Sequence, residues 1–131
     1  MLENAVARYK EVQITTSSPG ELLLALYSGL FRFLLVAKHT LKTDRARASD
    51  ALSRSHAIVS ELYLALDYGV APELCANLES VYTFCLEHLT KANLKNDVQA
   101  IDDVIRVLTP LKEAWAQAVV QAAREQHGGA R

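Results

Sequence analysis

From Leu74 to Ala92 the apolar residues of this chain recur every three or four positions. Leu74, Leu78, Val81, Tyr82, Cys85, Leu89 and Ala92 share one face of an α-helix. Glu79, Ser80, Thr83, Glu87 and Lys91 fall on the other side. A helix with one wide apolar face has to bury it against neighbours, so this segment demands a packed helical partner set. Phe84 departs from the pattern, because at about 100° per residue it points into the polar side. The helix starts near Pro72, and Asn93 to Asn96 reads as the turn that ends it.

Three more segments repeat the theme. Ser18-Pro19-Gly20-Glu21 is a capping box with proline at the first helical position, and it opens a helix that runs to about Lys42. Thr43-Asp44 is a short joint with Asp44 as the next N-cap. The second helix covers Arg45 to about Leu66 and buries Ala48, Leu52, Ser55, Val59, Leu62 and Leu66. Asp67-Tyr-Gly-Val is a turn in which Gly69 can supply positive φ. Asn96-x-x-Gln99 resembles a second capping box. The helix after it carries Ile101, Val104, Ile105, Leu108, Leu111, Trp115, Ala118 and Ala122, with Pro110 inside. A proline there removes the amide that would bond to the Arg106 carbonyl, so a kink or short break is expected.

Short turns between long helices leave no room for crossovers. The expected fold is therefore all-α: an antiparallel up-down four-helix bundle over residues 18–127. Residues 1–17 form an N-terminal arm, with Ala5, Val6 and Tyr9 on one side of two loose turns. Gly128-Gly129 ends the order, leaving 128–131 as a disordered tail.

The 131 residues suit one domain, half of them apolar, with three prolines and five glycines. The formal net charge of −1 argues against nucleic acid or an anionic membrane as the main partner. No unbroken apolar run reaches about 18 residues, which argues against insertion into a membrane. Met-Leu-Glu-Asn carries an acid where a signal peptide has basic residues, so a cytoplasmic location is expected. Cys75 and Cys85 lie about 15 Å apart along one helix, too far for a disulfide, and fit a reducing compartment as small buried side chains.

Catalytic and cofactor patterns are missing. No Glu-x-x-His pair precedes any histidine as a di-iron bundle requires, and no phosphate loop, nucleophile elbow or zinc helix motif occurs. Cys85 and His88 are one helical turn apart, but Cys85 sits on the apolar side, where a thiol stays inert. No cofactor or metal is expected. One match needs weighing. His39-Thr-Leu-Lys42 resembles the H-x-L-K core of histidine phosphotransfer domains, which are also four-helix bundles. Yet Thr43 stands where that family wants a small residue, and His39 lies one turn from a helix end. A surface histidine beside a helix C-terminus, favourable with the dipole when protonated, is the preferred reading.

The first helix is more apolar than one bundle contact needs. Leu23, Leu26, Tyr27, Leu30, Phe33, Leu34, Ala37 and Leu41 fill one face. Leu24, Phe31 and Leu35 form a second stripe, with Ser28 in its line. Contact with two neighbouring helices is one explanation. An outer groove for an amphipathic partner helix is the other, with the arm lying there when no partner is bound.

The spelling of these segments resembles the FliS family of flagellin-specific export chaperones. The resemblance rests on Leu66-Asp67, Asn77-Leu78, Val81-Tyr82, Phe84, Leu89, Ala92-Asn93 and Asp97. Tyr9 before a polar connector, Ser18-Pro19 through Leu26-Tyr27-Ser28-Gly29 to Phe33, and Ala114-Trp115 extend it over most of the chain. Ser28 replaces an acid usual in that family, and Glu87-His88 replaces a frequent basic pair. The resemblance implies a non-enzymatic cytoplasmic chaperone. It would bind the disordered C-terminal segment of flagellin, prevent early polymerisation and deliver its client to the flagellar export apparatus. Leu24, Tyr27, Phe31, Leu35, Tyr82 and Phe84 are then the expected client contacts, and Ala5, Val6 and Tyr9 the competing arm. The alternatives are a phosphotransfer bundle using His39 and a bundle that only self-associates, for instance as a homodimer.

Overall fold

The structure, a computed structural model, describes residues 19–129. They form four helices: α1 (Pro19–Thr40), α2 (Arg45–Leu64), α3 (Pro72–Lys95) and α4 (Val98–Gly129). Ser18, the expected arm with Ala5, Val6 and Tyr9, and the last two residues lie outside the described residues. Each helix packs on the next in sequence and α4 closes the ring on α1, while α1 and α3 face each other across the core. Lys38 near the end of α1 pairs with Asp102 near the start of α4 at 2.8 Å. Tyr27, further back on α1, meets Trp115, further along α4. The two helices therefore run antiparallel, as an up-down bundle requires.

Local chemistry sets the turns. Asp44 caps α2, its carboxylate accepting from the Arg47 amide at 3.2 Å. The Arg45 guanidinium donates to the Asn93 carbonyl and side chain, and the Lys42 ammonium donates to the Asn96 carbonyl at 2.9 Å. These bonds tie the α1–α2 joint to the α3–α4 joint. The second joint differs from its expected form. Asn96 is not an N-cap but the left-handed residue that ends α3, with φ 52° and ψ 43°. Asp97 caps α4 instead, accepting from the Ala100 amide at 3.2 Å.

Two other expectations are corrected. Gly69 does not use positive φ. The Asp67 carboxylate accepts from the Gly69 amide at 3.0 Å and shapes the turn by itself. Pro110 does not break α4, which runs unbroken from Val98 to Gly129, across both terminal glycines. Pro110 and Arg106 are exposed, so water can satisfy the Arg106 carbonyl that loses its amide. α1 is also long and apolar enough, by length and composition, to cross a membrane, which a search for unbroken apolar runs does not detect. Its Tyr27, Leu30, Leu34 and Ala37 are buried in the bundle, and the core helix of a soluble protein passes the same test.

The core holds Leu30, Leu34 and Leu41 from α1, Leu52, Val59 and Leu62 from α2, Leu78, Cys85 and Leu89 from α3, and Ile101, Val104 and Leu108 from α4. Each large aliphatic side chain contributes about 1.5–3 kcal/mol by leaving water. Among the described residues Ser55 is the one buried polar side chain outside the tyrosines, and its hydroxyl donates to the Ala51 carbonyl at 2.9 Å. Tyr27 and Tyr82 span the diagonal, and their hydroxyls bond at 2.6 Å. Burial raises both phenols above their ordinary range. Tyr27→Phe or Tyr82→Phe alone will cost about 1–3 kcal/mol in urea denaturation, since each leaves the other hydroxyl buried and unpaired. The double variant will lose clearly less than the two losses combined, and additive losses would refute this pairing.

Candidate functional site

The described residues offer little chemistry. No group of three His, Cys, Asp or Glu among them is placed to hold a metal ion. Cys75 and Cys85 are free thiols, both buried, and burial pushes Cys85 up to about 12. His88 does not turn to Cys85; its Nδ1 donates to the Phe84 carbonyl at 2.9 Å. His39 is exposed, while the Lys42 ammonium is engaged by the Asn96 carbonyl. What remains is apolar surface.

One such surface is the shoulder of α1 that faces α4. Leu24 and Phe31 are half-buried and Leu35 is 46% exposed. The Lys112 ammonium of α4 lies 4.8 Å from the Phe31 ring centroid, a cation–π contact at the edge of the groove. The opposite shoulder carries Phe33, which the Arg54 guanidinium of α2 approaches at 5.7 Å. The extra apolarity of α1 thus divides between two inter-helix grooves, and Leu35 stays largely in water.

Tyr27 and Tyr82 are placed differently from the expectation. They are 0% and 2% exposed and lie beneath the inter-helix grooves, with Tyr82 also bordering a cleft at one end of the bundle. Both belong to the core face by spacing, and each hydroxyl finds its partner inside. Phe84 is half-buried and packs against the core from the α3–α4 side. Its ring stacks on His88 with centroids 3.7 Å apart. Packing therefore accounts for part of an aromatic that had no explanation in the helical pattern. His88 Nε2 lies 4.0 Å from the Asp103 carboxylate, which its hydrogen bond from Gln99 and then the Arg106 guanidinium hold below the usual range. Glu87-His88 is thus built into this groove through its histidine.

A second surface was not apparent from the residues. At the end of the bundle where α1 begins, the core is open. Leu23, Leu66, Val70, Leu78, Tyr82 and Trp115 line a cleft of about 290 Å³, with contributions from all four helices. Beside it, Gly20, Leu23, Trp115, Ala118, Val119 and Ala122 line a further 310 Å³. Leu64 and Val70 nearby are 76% and 80% exposed. No residue pattern marks these hollows in advance, because they arise where Leu23, Trp115 and the α2–α3 turn come together.

Comparison with known proteins gives this surface a setting. A family model described as flagellar protein FliS matches residues 2–122. The chain belongs to the FliS family. It is 30% identical over 128 residues to the flagellar secretion chaperone FliS of Bacillus subtilis (strain 168), covering 97% of this chain and 95% of that protein. The FliS chaperones of Campylobacter jejuni (serotype O:6, strain 81116) and Salmonella typhimurium (strain LT2) are 34% and 33% identical over 110 and 109 residues. These matches cover 83% and 82% of this chain, and 86% and 81% of the two relatives. A crystal structure of a flagellar chaperone from bacteria superposes with a TM-score of 0.73 at 22% identity, over 91% of this chain and 98% of that one, and supports the fold. FliS proteins are chaperones and not enzymes. Iodoacetamide at pH 8 will leave Cys85 unmodified in the native FliS fold and will label it after guanidinium unfolding. Rapid native labelling of Cys85 would contradict its burial.

Proposed function

We propose that this chain is a cytoplasmic chaperone for flagellin that holds the disordered C-terminal region of its client and supports export. The observation that carries this reading is an apolar shoulder, Leu24, Phe31 and Leu35, left partly in water on a FliS-family bundle. A disordered amphipathic segment loses entropy when it orders on such a surface, but it covers a large area in return. The result is specific and reversible binding. Folding the segment onto the bundle also hides the apolar stripe by which flagellin subunits would polymerise, and the loaded complex is what the export apparatus would receive.

The contact set is Leu24, Phe31 and Leu35 in the α1–α4 groove, with Phe84 in the α3–α4 groove. A single segment reaching both has to cross α4. Tyr27 and Tyr82 act beneath, by fixing the helices that carry those residues. Residues 1–17 are the competing arm, with Ala5, Val6 and Tyr9 as its apolar side.

A synthetic C-terminal flagellin peptide will gain helicity by circular dichroism when titrated with this protein, and unchanged spectra would sink the reading. Phe31→Asp will weaken peptide binding at least about tenfold, since an apolar anchor becomes a charge. Its stability will fall less, because Phe31 is only half-buried and an aspartate there faces Lys112. Deleting residues 1–17 will leave the bundle folded and tighten binding, and weaker binding would rule out a competing arm.

A further inference from the structure

Each ring nitrogen of His88, in the α3–α4 groove, faces an acceptor. Nδ1 donates to the Phe84 carbonyl, one turn back on α3, at 2.9 Å. That bond places the single proton of the neutral ring on Nδ1 and leaves Nε2 as a bare lone pair. Nε2 lies 4.0 Å from Asp103 Oδ2 on α4. Oδ1 of the same carboxylate accepts from Gln99 Nε2 and from the Arg106 guanidinium, each at 3.0 Å, so Oδ2 is the oxygen left for the histidine. A lone pair against a carboxylate is a mismatch that one added proton removes, since the imidazolium donates from both nitrogens at once. The Gln99 bond, and then the Arg106 charge, hold Asp103 below the usual carboxylate range, so it is anionic wherever a histidine titrates.

The side chains of His88 and Asp103 are 23% and 22% exposed, so water screens the pair less than it screens a surface ion pair. The other charges near it stand further off or are engaged. On α3, Glu87 is exposed beside His88, and Lys91, one turn on, lies 3.6 Å from Asp97, the cap of α4. Lys95 is two turns on, about 10 Å along the axis. On α4, Arg106 is bonded to Asp103 itself. Of these groups Asp103 is the one in ion-pairing range of the imidazole.

The ring that makes these bonds also covers Phe84, stacked on it with centroids 3.7 Å apart and planes inclined by 26°. Protonation adds a cation–π attraction to that stack. We propose that His88 is a positioning residue for Phe84: when protonated it straps the Phe84 ring and α3 to Asp103 of α4, and so pre-sets the aromatic contact that the α3–α4 groove offers a client. This rests on the flagellin reading for the role of Phe84, and on the groove alone for the strap. An anchor held in one place loses less freedom when a client docks, so affinity rises. Because the strap needs the protonated ring, it is present at low pH and is lost as pH rises through the range in which histidine titrates.

The test uses the full chain. Ring nitrogen NMR, with His88 assigned through His88→Gln, will show the proton on Nδ1 at pH 8. His88→Gln will lower the urea midpoint more at pH 5.5 than at pH 8, and an Asp103→Asn background will remove the excess. A histidine-free C-terminal flagellin peptide will bind about threefold tighter at pH 5.5 than at pH 8. His88→Gln, Asp103→Asn or Phe84→Leu will flatten that ratio, and His39→Gln with His56→Gln will keep it. If His88→Gln does not fold, Asp103→Asn carries both readouts. A proton on Nε2 at pH 8, or a midpoint loss equal at the two pH values, would overturn the strap. If the peptide binds with the same pH ratio in His88→Gln or Phe84→Leu, the positioning role falls and the flagellin assignment stands. If it binds at neither pH while the NMR and urea results hold, the flagellin assignment falls and the strap stands.

Discussion

The hydrogen bond between the Tyr27 and Tyr82 hydroxyls, 2.6 Å long, divides the molecule. It joins α1 to α3 across the diagonal, where the two helices are otherwise too far apart for their backbones to approach. On one side of it lie Leu30, Leu34, Leu41, Leu52, Leu89, Ile101 and Leu108, all nearly inaccessible. On the other side lie Leu23, Leu66 and Trp115, which line an opening to solvent. Aromatic side chains are long enough to meet in the middle of a four-helix core, and their hydroxyls need each other once water is excluded. The pair thus sets the level at which close packing stops. Trp115 sits edge-on to Tyr27, ring centroids 6.5 Å apart, and its buried indole N–H has no well-formed acceptor. An imperfectly satisfied donor at this level fits a boundary between a finished core and an unfinished one.

Helical spacing made most of this fold readable. Apolar periodicity placed α2, α3 and α4 near their observed bounds, because burial of a stripe is a constraint every residue of that stripe shares. Caps were less legible where two candidates stood side by side. Asn96 and Asp97 can each cap a helix, and the sequence shows no reason to prefer the second until α3 is seen to end in a left-handed residue. Asn tolerates that conformation, which leaves Asp97 for the cap. Gly69 looked like a residue chosen for positive φ, yet the Asp67 side chain supplies the turn without it.

Site residues were harder to read for a different reason. Periodicity tells which way a side chain points but not whether the space it points into is filled. Tyr27 and Tyr82 lie on core faces, and only the structure shows that each hydroxyl is met by the other. Phe84 was conspicuous as an aromatic out of register, but the His88 beside it, one turn on, gives its ring a stacking partner. Leu35 needed the opposite correction of emphasis: within an apolar helix it looked ordinary, and it is the member of its stripe most open to water. The open end escaped notice because it is a property of how four helices and the α2–α3 turn come together. No single residue encodes it.

A bundle that needs only stability would close that end and cover Leu35. Filling the two hollows with larger side chains, or replacing Leu35, Leu64 and Val70 by polar residues, involves no change of backbone and would lower the risk of aggregation. The apolar surface persists on a fold whose core is otherwise tightly sealed, from Leu30 to Ile101. The economical explanation is a partner that completes the packing from outside. The interior half of the molecule then serves as a rigid platform, since residues such as Leu34, Leu52 and Val104 cannot yield without opening cavities. On the proposed function, rigidity on the inside would let the client be the component that changes shape. The ordering cost of binding would then fall on the client segment rather than on the bundle, which would keep the complex specific while allowing release.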